Sequence, residues 1–577
     1  MSPRRRLIAA VLAALVLPAL VPASAGAHAA LLKERPRAAG ILTTSPATVR
    51  LLYSEPVEPK FAIISVTDKD GNRVTTARPQ RSPGNPDQLE TPLKKLARGW
   101  YLVYWRVISV DGHPVRGAFT FAVGPNAGPP PEFQVPSLTE TAATPGLLVT
   151  RWIVLLSMMA TIGLALFRLF VARPLVRRVE GSSLRAVNVA LFVSLGVGVL
   201  STLVYVLAAT ARFTQVGFFD LGTTIPLVRD SAFGRGYSDL AMILVLLGVA
   251  LACAIRIDRP EREHRSIAEL GAFLGVALAG GAALLVPGLA GHASQYSPRG
   301  AGMLLDWSHL LAGSTWVGGL VGLLVLAWRA GAQRVACMVT VVPRFSRTAL
   351  FSVLLLIATG TTAAILRLPT LSSLWDTGYG QALIAKVAIL LVAMLLAAVN
   401  LLRTTPRLQA CERRPELGAP TTSLLRRLVG GETFLVIGAV FAASVMSSVA
   451  PPPKALAEIG TATAKVGPGP ISKTVEEAGY KLQLGITPNR GARPNLFSVK
   501  LTKDDKPVRG ADVVAKFTML DMEMGQQAYK LKELTPATYG YKDLAALVMV
   551  GHWGLDFTIT PKGEKSFQIL LLDKALG

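Results

Sequence analysis

Hydrophobic and polar positions change rhythm twice along this chain, and the changes divide it. Over residues 28–123, apolar and polar side chains alternate in short runs: Thr48-Val49-Arg50-Leu51-Leu52-Tyr53, Ala62-Ile63-Ile64-Ser65-Val66, Trp100-Tyr101-Leu102-Val103-Tyr104-Trp105 and Phe119-Thr120-Phe121-Ala122-Val123. Successive side chains of a strand point to opposite faces, so period-two runs broken by Pro, Gly, Asn and Asp predict strands. A domain patterned this way predicts a small β-sandwich of the cupredoxin or immunoglobulin kind. Residues 124–146, with Pro129-Pro130-Pro131, predict a semi-rigid linker.

From 147 to 450 the polar half of the pattern disappears. Eight apolar runs, near 147–171, 185–208, 238–255, 267–290, 303–328, 347–366, 383–402 and 431–450, are each long enough to cross a bilayer as a helix. They predict an eight-helix transmembrane bundle. A second linker, 451–465, opens with Pro451-Pro452-Pro453. Alternation then resumes over 466–577, as in Tyr480-Lys481-Leu482-Gln483-Leu484 and Trp553-Gly554-Leu555-Asp556-Phe557, and predicts a second small β-sandwich. The fold class is therefore mixed.

Charge orients this arrangement. The formal net charge is +24, but most of the Arg sits in short connections between apolar runs, which argues against nucleic acid as a partner. The connections after the first, third, fifth and seventh runs hold Arg173/Arg177/Arg178, Arg256/Arg259/Arg262/Arg265, Arg329/Arg334/Arg344 and Arg403/Arg407/Arg413/Arg414/Arg426/Arg427. The positive-inside rule then places both β-domains outside the cytoplasm. Arg4, Arg5 and Arg6, an apolar run over 7–20 and Ala25-Gly26-Ala27 predict a secretory signal peptide over 1–27, which demands the same side for the N-terminus. Cys253, Cys337 and Cys411 all fall outside the two β-domains, so neither carries a disulfide framework.

Cleavage after Ala27 makes His28 the first mature residue, with an α-amine and an imidazole able to close a chelate ring on one ion. Such nitrogens suit Cu(II) in a tetragonal N/O set. Asp111 and His113, in the turn Val110-Asp111-Gly112-His113-Pro114, supply a carboxylate and a second imidazole, and Glu55 is a candidate outer ligand. The bland alternative is a surface turn. In the membrane region, His292 and His309 fall near the outer ends of their runs. Asp306 and His309 share a helix face, with Trp316 two turns further along it. Ionisable groups at membrane depth usually face a bundle interior or a pathway, the alternative being wetted interfacial residues with ordinary packing tryptophans. In the last domain Met519, Met522 and Met524 lie within six residues, with His552 beyond. Thioethers suit Cu(I), so Met522, Met524 and His552 form a third candidate set, whereas Met519 is equally suited to the core.

His28-x-x-Leu31, Tyr53-Ser54-Glu55-Pro56 and Trp105-Arg106-Val107-x-Ser109-x-Asp111-Gly112-His113-Pro114-Val115 resemble the periplasmic copper protein CopC. The resemblance implies Cu(II) binding by His28, Asp111 and His113, in a Cu(II)-only version, because residues 28–123 contain no Met. Gly291-His292-Ala293, Asp306-x-x-His309 with Trp316-x-Gly318-Gly319, Thr377-Gly378-Tyr379-Gly380 with Lys386, and Asn400 resemble CopD, the membrane partner of CopC. That resemblance implies His292 and His309 as intramembrane copper ligands. The last domain resembles the YtkA-like domain, and the fused order resembles the YcnJ type of copper-uptake protein.

The expectation is copper acquisition at the bacterial plasma membrane, with Cu(II) captured outside and copper carried inward through the bundle. A periplasmic copper chaperone or a reductase is the expected protein partner. Copper resistance by efflux or sequestration is the rival. A copper oxygenase is a further alternative, against which Asp111 argues as a third protein ligand. No Gly-x-x-x-x-Gly-Lys-[Ser/Thr] motif is present, which argues against direct ATP drive.

Overall fold

The computed structural model describes residues 31–37, 40–53, 56–108, 114–124, 145–214, 216–289, 299–411, 413–448, 463–491, 494–520, 527–544, 546–547 and 551–576. The chain divides into a helical unit and a β unit. The signal peptide expected over 1–27 lies outside the described residues.

In the N-terminal domain the alternating runs become strands β1 (Leu31–Arg35), β2 (Ile41–Leu42), β3 (Thr48–Tyr53), β4 (Ile63–Asp68), β5 (Gln80–Ser82), β6 (Asn85–Pro92), β7 (Gly99–Ile108) and β8 (Pro114–Val123). They form two four-stranded sheets, ordered β1-β3-β6-β5 and β2-β8-β7-β4. Along β3 the alternation is literal: Val49, Leu51 and Tyr53 are buried and Arg50 is exposed. These side chains meet Ile64, Val66, Val103, Trp105, Phe119 and Phe121 in one core. β7 also buries Trp100 and Leu102, in a smaller cluster with Ala118 and Ala122 of β8.

The C-terminal domain contains β9 (Ala464–Lys465), β10 (Ile471–Glu477), β11 (Tyr480–Thr487), β12 (Asn495–Lys503), β13 (Lys506–Pro507), β14 (Asp512–Met519), β15 (Gln527–Thr535), β16 (Thr538–Leu544), β17 (Gly551–Thr560) and β18 (Phe567–Ala575). The strand path runs β10-β11-β12-β16-β15-β14-β17-β18-β9. One strand joins the halves of this sandwich: the first part of β15 pairs with β14 and its second part with β16. Asp556 of β17 is buried, opposite Lys516 of β14. Burial pushes its carboxyl above the usual carboxylate range, and Lys516 pulls it partly back.

Eight helices are long and apolar enough to cross a membrane. Their cores are α1 (Pro145–Leu166), α2 (Arg185–Thr214), α3 (Ala232–Ile257), α4 (Ile267–Leu289), α5 (Arg299–Arg329), α6 (Arg334–Arg367), α7 (Gly378–Val399) and α8 (Gly418–Met446). Several run past the apolar windows that predict them. α6 begins at Arg334 rather than 347, and α8 spans Gly418–Met446 rather than 431–450. Apolarity marks only the stretch in hydrocarbon, whereas backbone hydrogen bonds continue the helix through polar turns. π-helical turns extend α1 over Phe167–Ala172 and α7 over Asn400–Thr404.

α1 is the most enclosed span, with 72% of its most apolar window buried, against 6% for the seventh span, which therefore lies at the periphery. Its Gly163 meets Gly318 of α5 so closely that a Cβ on either would land on the other helix's backbone. Small residues permit such contact where no hydrophobic force holds helices together. Past the C-terminal end of α1, after the π-helical turn, the expectation of loop charges is corrected for Arg173. Its guanidinium is buried with Arg168 against Asp258 (2.8 and 3.0 Å) and Glu269 (3.4 Å). Glu269 also accepts the Arg259 and Ser266 backbone N–H groups. Two buried Arg against two buried acids leave the cluster balanced.

Gly318→Leu should lower the apparent Tm of the detergent-solubilised protein, since overpacking of this kind costs about 1–3 kcal/mol. Tryptophan fluorescence on heating would check it. In the β unit, the Asp556 carboxyl holds its proton more tightly when folded, so its ionisation costs stability as pH rises through the folded value. Asp556→Asn should therefore slow hydrogen exchange of the β17 amides relative to the parent at neutral pH, with the difference closing in acid.

Candidate metal sites

His28, Glu55, Asp111 and His113 lie outside the described residues, but the residues that carry them do not. The described chain begins at Leu31, paired with Tyr53 at the end of β3. The Tyr53 ring stands edge-on to Trp105 of β7, centroids 5.8 Å apart. Beyond Glu55, the Glu58 N–H donates to the carbonyl of Ile108 at 3.1 Å. Ile108 is paired with Pro114 where the β7–β8 hairpin closes around residues 109–113. Three separate stretches of sequence are thus anchored at one end of the sandwich. At that end Tyr53 Oη and Trp105 Nε1 are buried and have no hydrogen-bond partner among the described residues, and burial holds the Tyr53 phenol well above its ordinary pKa.

His292 also lies outside the described residues. His309 is the eleventh residue of the 31-residue α5, about 15 Å into the helix at 1.5 Å per residue, deeper than a terminal position. Its Nδ1 lies 2.8 Å from Thr359 Oγ1 of α6. Thr359 has one hydroxyl proton and donates it to the Leu355 carbonyl at 2.7 Å. The hydroxyl oxygen therefore accepts from Nδ1–H, and the neutral imidazole carries its lone pair on Nε2. That is the tautomer a metal-binding histidine needs.

Trp307 and Trp316 are not lipid-facing belt residues. Trp307 Nε1 donates to the Gly281 carbonyl at 2.9 Å. Trp316, 2% exposed, donates to Glu432 Oε1 of α8 at 2.7 Å. Glu432 is a residue that the sequence reasoning passed over. The signal was a lone acid in the run 431–450, which calls for a reason at membrane depth. Asn400, quoted only as a motif residue, donates from Nδ2 to Glu432 Oε2 at 3.4 Å. The Thr377-Gly378-Tyr379-Gly380 motif has a local account: Thr377 Oγ1 accepts the Gly380 N–H at the start of α7, and Gly380 packs against Ser373 and Leu374.

In the last domain Met522 and Met524 lie outside the described residues, and Met519 is a core residue at 1% exposure. His552 sits at the root of the connection that holds the other two. Leu520, the last residue described before it, donates its N–H to the His552 carbonyl at 2.7 Å. His552 is half-buried and pairs with Lys574 of β18. The next residue of β18 inward, Asp573, is buried and accepts from Asn489 Nδ2 at 2.8 Å. Burial pushes its carboxyl up to about 6, with Asn489, the Lys574 N–H and His552 pulling the other way. Among the described residues no group of three or more His, Cys, Asp or Glu side chains is placed to hold a metal ion.

Four family models match this chain: the CopC domain over residues 31–124, the Copper resistance protein D-like N-terminal domain over 141–301, Copper resistance protein D over 339–446 and YtkA-like over 474–557. Copper transport protein CutJ of Bacillus subtilis (strain 168) is 27% identical over 545 residues, 92% of this chain and 93% of that protein. Protein YobA of Escherichia coli (strain K12) is 36% identical over 111 residues, 19% of this chain and 90% of that protein. The crystal structure of CopC from Methylosinus trichosporium OB3b is 31% identical, covering 19% of this chain and all of that one, with a TM-score of 0.16.

The Trp316–Glu432 bond generates a prediction. Trp316→Phe keeps most of the volume but removes the better of the two donors to a buried carboxyl, which should cost about 1–3 kcal/mol. A lowered Tm in detergent is the expected readout.

Proposed function

We propose that this chain, which belongs to the CopC–CopD fusions with a C-terminal YtkA-like domain, acquires copper at the bacterial plasma membrane and carries it inward. The observation that carries the reading is the convergence of the Leu31–Tyr53 pair, the Tyr53–Trp105 contact and the Glu58–Ile108 bond at one end of the first sandwich. In this reading those anchors would bring together the stretches bearing His28, Asp111, His113 and Glu55. A terminal amine, two imidazoles and a carboxylate make a tetragonal set for Cu(II), with Glu55 as an outer carboxylate.

In the bundle, His309 offers an imidazole whose Nε2 is the unprotonated nitrogen, and His292 would provide a second on the outer side. Both soluble domains face out of the cytoplasm in this reading, as the basic connections require. Met522, Met524 and His552 would hold Cu(I) once the ion has been reduced, a step assigned to a partner reductase. The protein acts as a carrier and not as a catalyst, since Asp111 fills a coordination position that an oxygenase keeps open.

Deleting the gene should lower cellular copper, whereas loss of an efflux protein would raise it. Restoring the wild-type chain should return accumulation, and His28→Ala should leave it near the deletion level. Mass spectrometry of the mature N-terminus verifies that processing is intact. Binding to the outer site should weaken on mild acidification, because the α-amine, with a reference pKa of about 8, must lose its proton to bind.

A further inference from the structure

The interior acids of the bundle divide into two kinds. Asp258 and Glu269 lie against Arg168 and Arg173, within 2.8–3.4 Å. Glu432 is equally buried, at 3% exposure, but both of its partners are neutral: the Trp316 indole and the Asn400 amide. It lines a cavity of about 210 Å³ between α5, α6, α7 and α8.

The charged groups of those elements lie away from it: Arg344 and Arg347 of α6 line a separate pocket with Phe170 and Phe351, and Lys386 of α7 is about 21 Å along that helix from Asn400, at 1.5 Å per residue. None of the other residues lining the Glu432 cavity, which include Trp316, Ser346 and Asn400, carries a charge. On α5, His309 and Asp306 lie about 10 and 15 Å along the helix from Trp316, at 1.5 Å per residue. On α8 itself Arg426 and Arg427 are exposed, as is Arg403 after α7. On α1, which also packs against α8, Arg168 is committed to Asp258, and Arg151 reaches the Ser447 carbonyl. Ionised and unpaired at this depth, a carboxylate is costly; carrying a proton, it is not.

A second observation points the same way. Asn400 Oδ1 is buried in the same place and has no hydrogen-bond partner among the described residues. A carboxylate needs a donor and finds it in Nδ2, 3.4 Å from Oε2. A carboxylic acid needs an acceptor. A half-turn of the Asn400 amide puts Oδ1 where Nδ2 now stands, and the bond reverses. Asn400 opens the π-helical turn of α7, a local irregularity that recurs at functional sites. One amide thus serves both protonation states of one carboxyl.

We propose that Glu432 is an intramembrane proton-binding site, and that its loading from one face and release to the other couples the proton gradient to the bundle's work. On loading, hydronium gives up a proton and an O–H bond forms on the Glu432 carboxyl. On release that bond breaks and water on the far side takes the proton. No electrons move. The cargo clause rests on the copper-import reading; the proton site itself does not.

Two measurements on the full-length protein in vesicles separate the claims. Infrared difference spectra after a pH jump should contain a protonated-carboxyl C=O band that is absent from Glu432→Gln and recovered in Glu432→Asp. With the membrane potential clamped, an inward gradient of one pH unit should raise copper accumulation about tenfold at one proton per ion, and the gradient response should vanish in Glu432→Gln. A wild-type spectrum without that band, or a gradient response that survives in Glu432→Gln, overturns the proposal. If copper moves and the band is missing, the import reading stands and this one falls. If the band titrates and disappears with Glu432→Gln while no copper moves, the proton site stands and import falls.

Discussion

Hydrocarbon offers a polar group no water, so a charge or hydrogen-bonding side chain within the bundle is costly unless another part of the protein answers it. That demand organises the helical unit. It sets Arg168 and Arg173 against Asp258 and Glu269, turns the Thr359 hydroxyl toward His309, and brings two indoles to oxygens on other helices. With lipid as apolar as leucine, helices gain little by hiding greasy faces from it. Contacts such as Gly163 on Gly318 hold them instead by close fit.

The β-domains obey the opposite solvent. There alternation pays, because one face of a strand meets a core and the other meets water. The consequence for chemistry is that, apart from His552 of β17, the candidate ligands of these domains fall outside the described strands. Residues 109–113 are closed by the Ile108–Pro114 pair, and the connection after Leu520 is tied to the His552 carbonyl. Scaffold and ligands are separable in such a design, and the ligand-bearing loops are free to differ while the anchors stay.

What the sequence made legible was local. Strand alternation is a two-residue property and an apolar run a twenty-residue one, so the sandwiches and the eight spans could be foreseen from neighbouring residues alone. His309 was conspicuous as a rare ionisable residue in an apolar stretch. Its Thr359 partner, fifty residues on, was not visible, nor was the tautomer that follows from it. Glu432 was overlooked because its meaning lies in partners 116 and 32 residues away in sequence. Arg173 reads as a loop charge until Asp258 is seen beside it. The π-turns at Phe167 and Asn400 have no periodic signature, since each is a local departure from the repeat that periodicity detects. The candidate outer copper ligands are legible in the sequence alone and lie outside the described residues, so only the anchors beside them bear on the reading.

The seam between the first and fifth helices also has a bearing on biogenesis. Gly163 leaves the ribosome long before Gly318, by roughly 10–30 s at ordinary elongation rates of 5–20 residues per second. Throughout that interval the most enclosed helix of the finished bundle has only its early neighbours and lipid around it. The centre of the protein is therefore assembled late, around an element that was inserted first and had to wait.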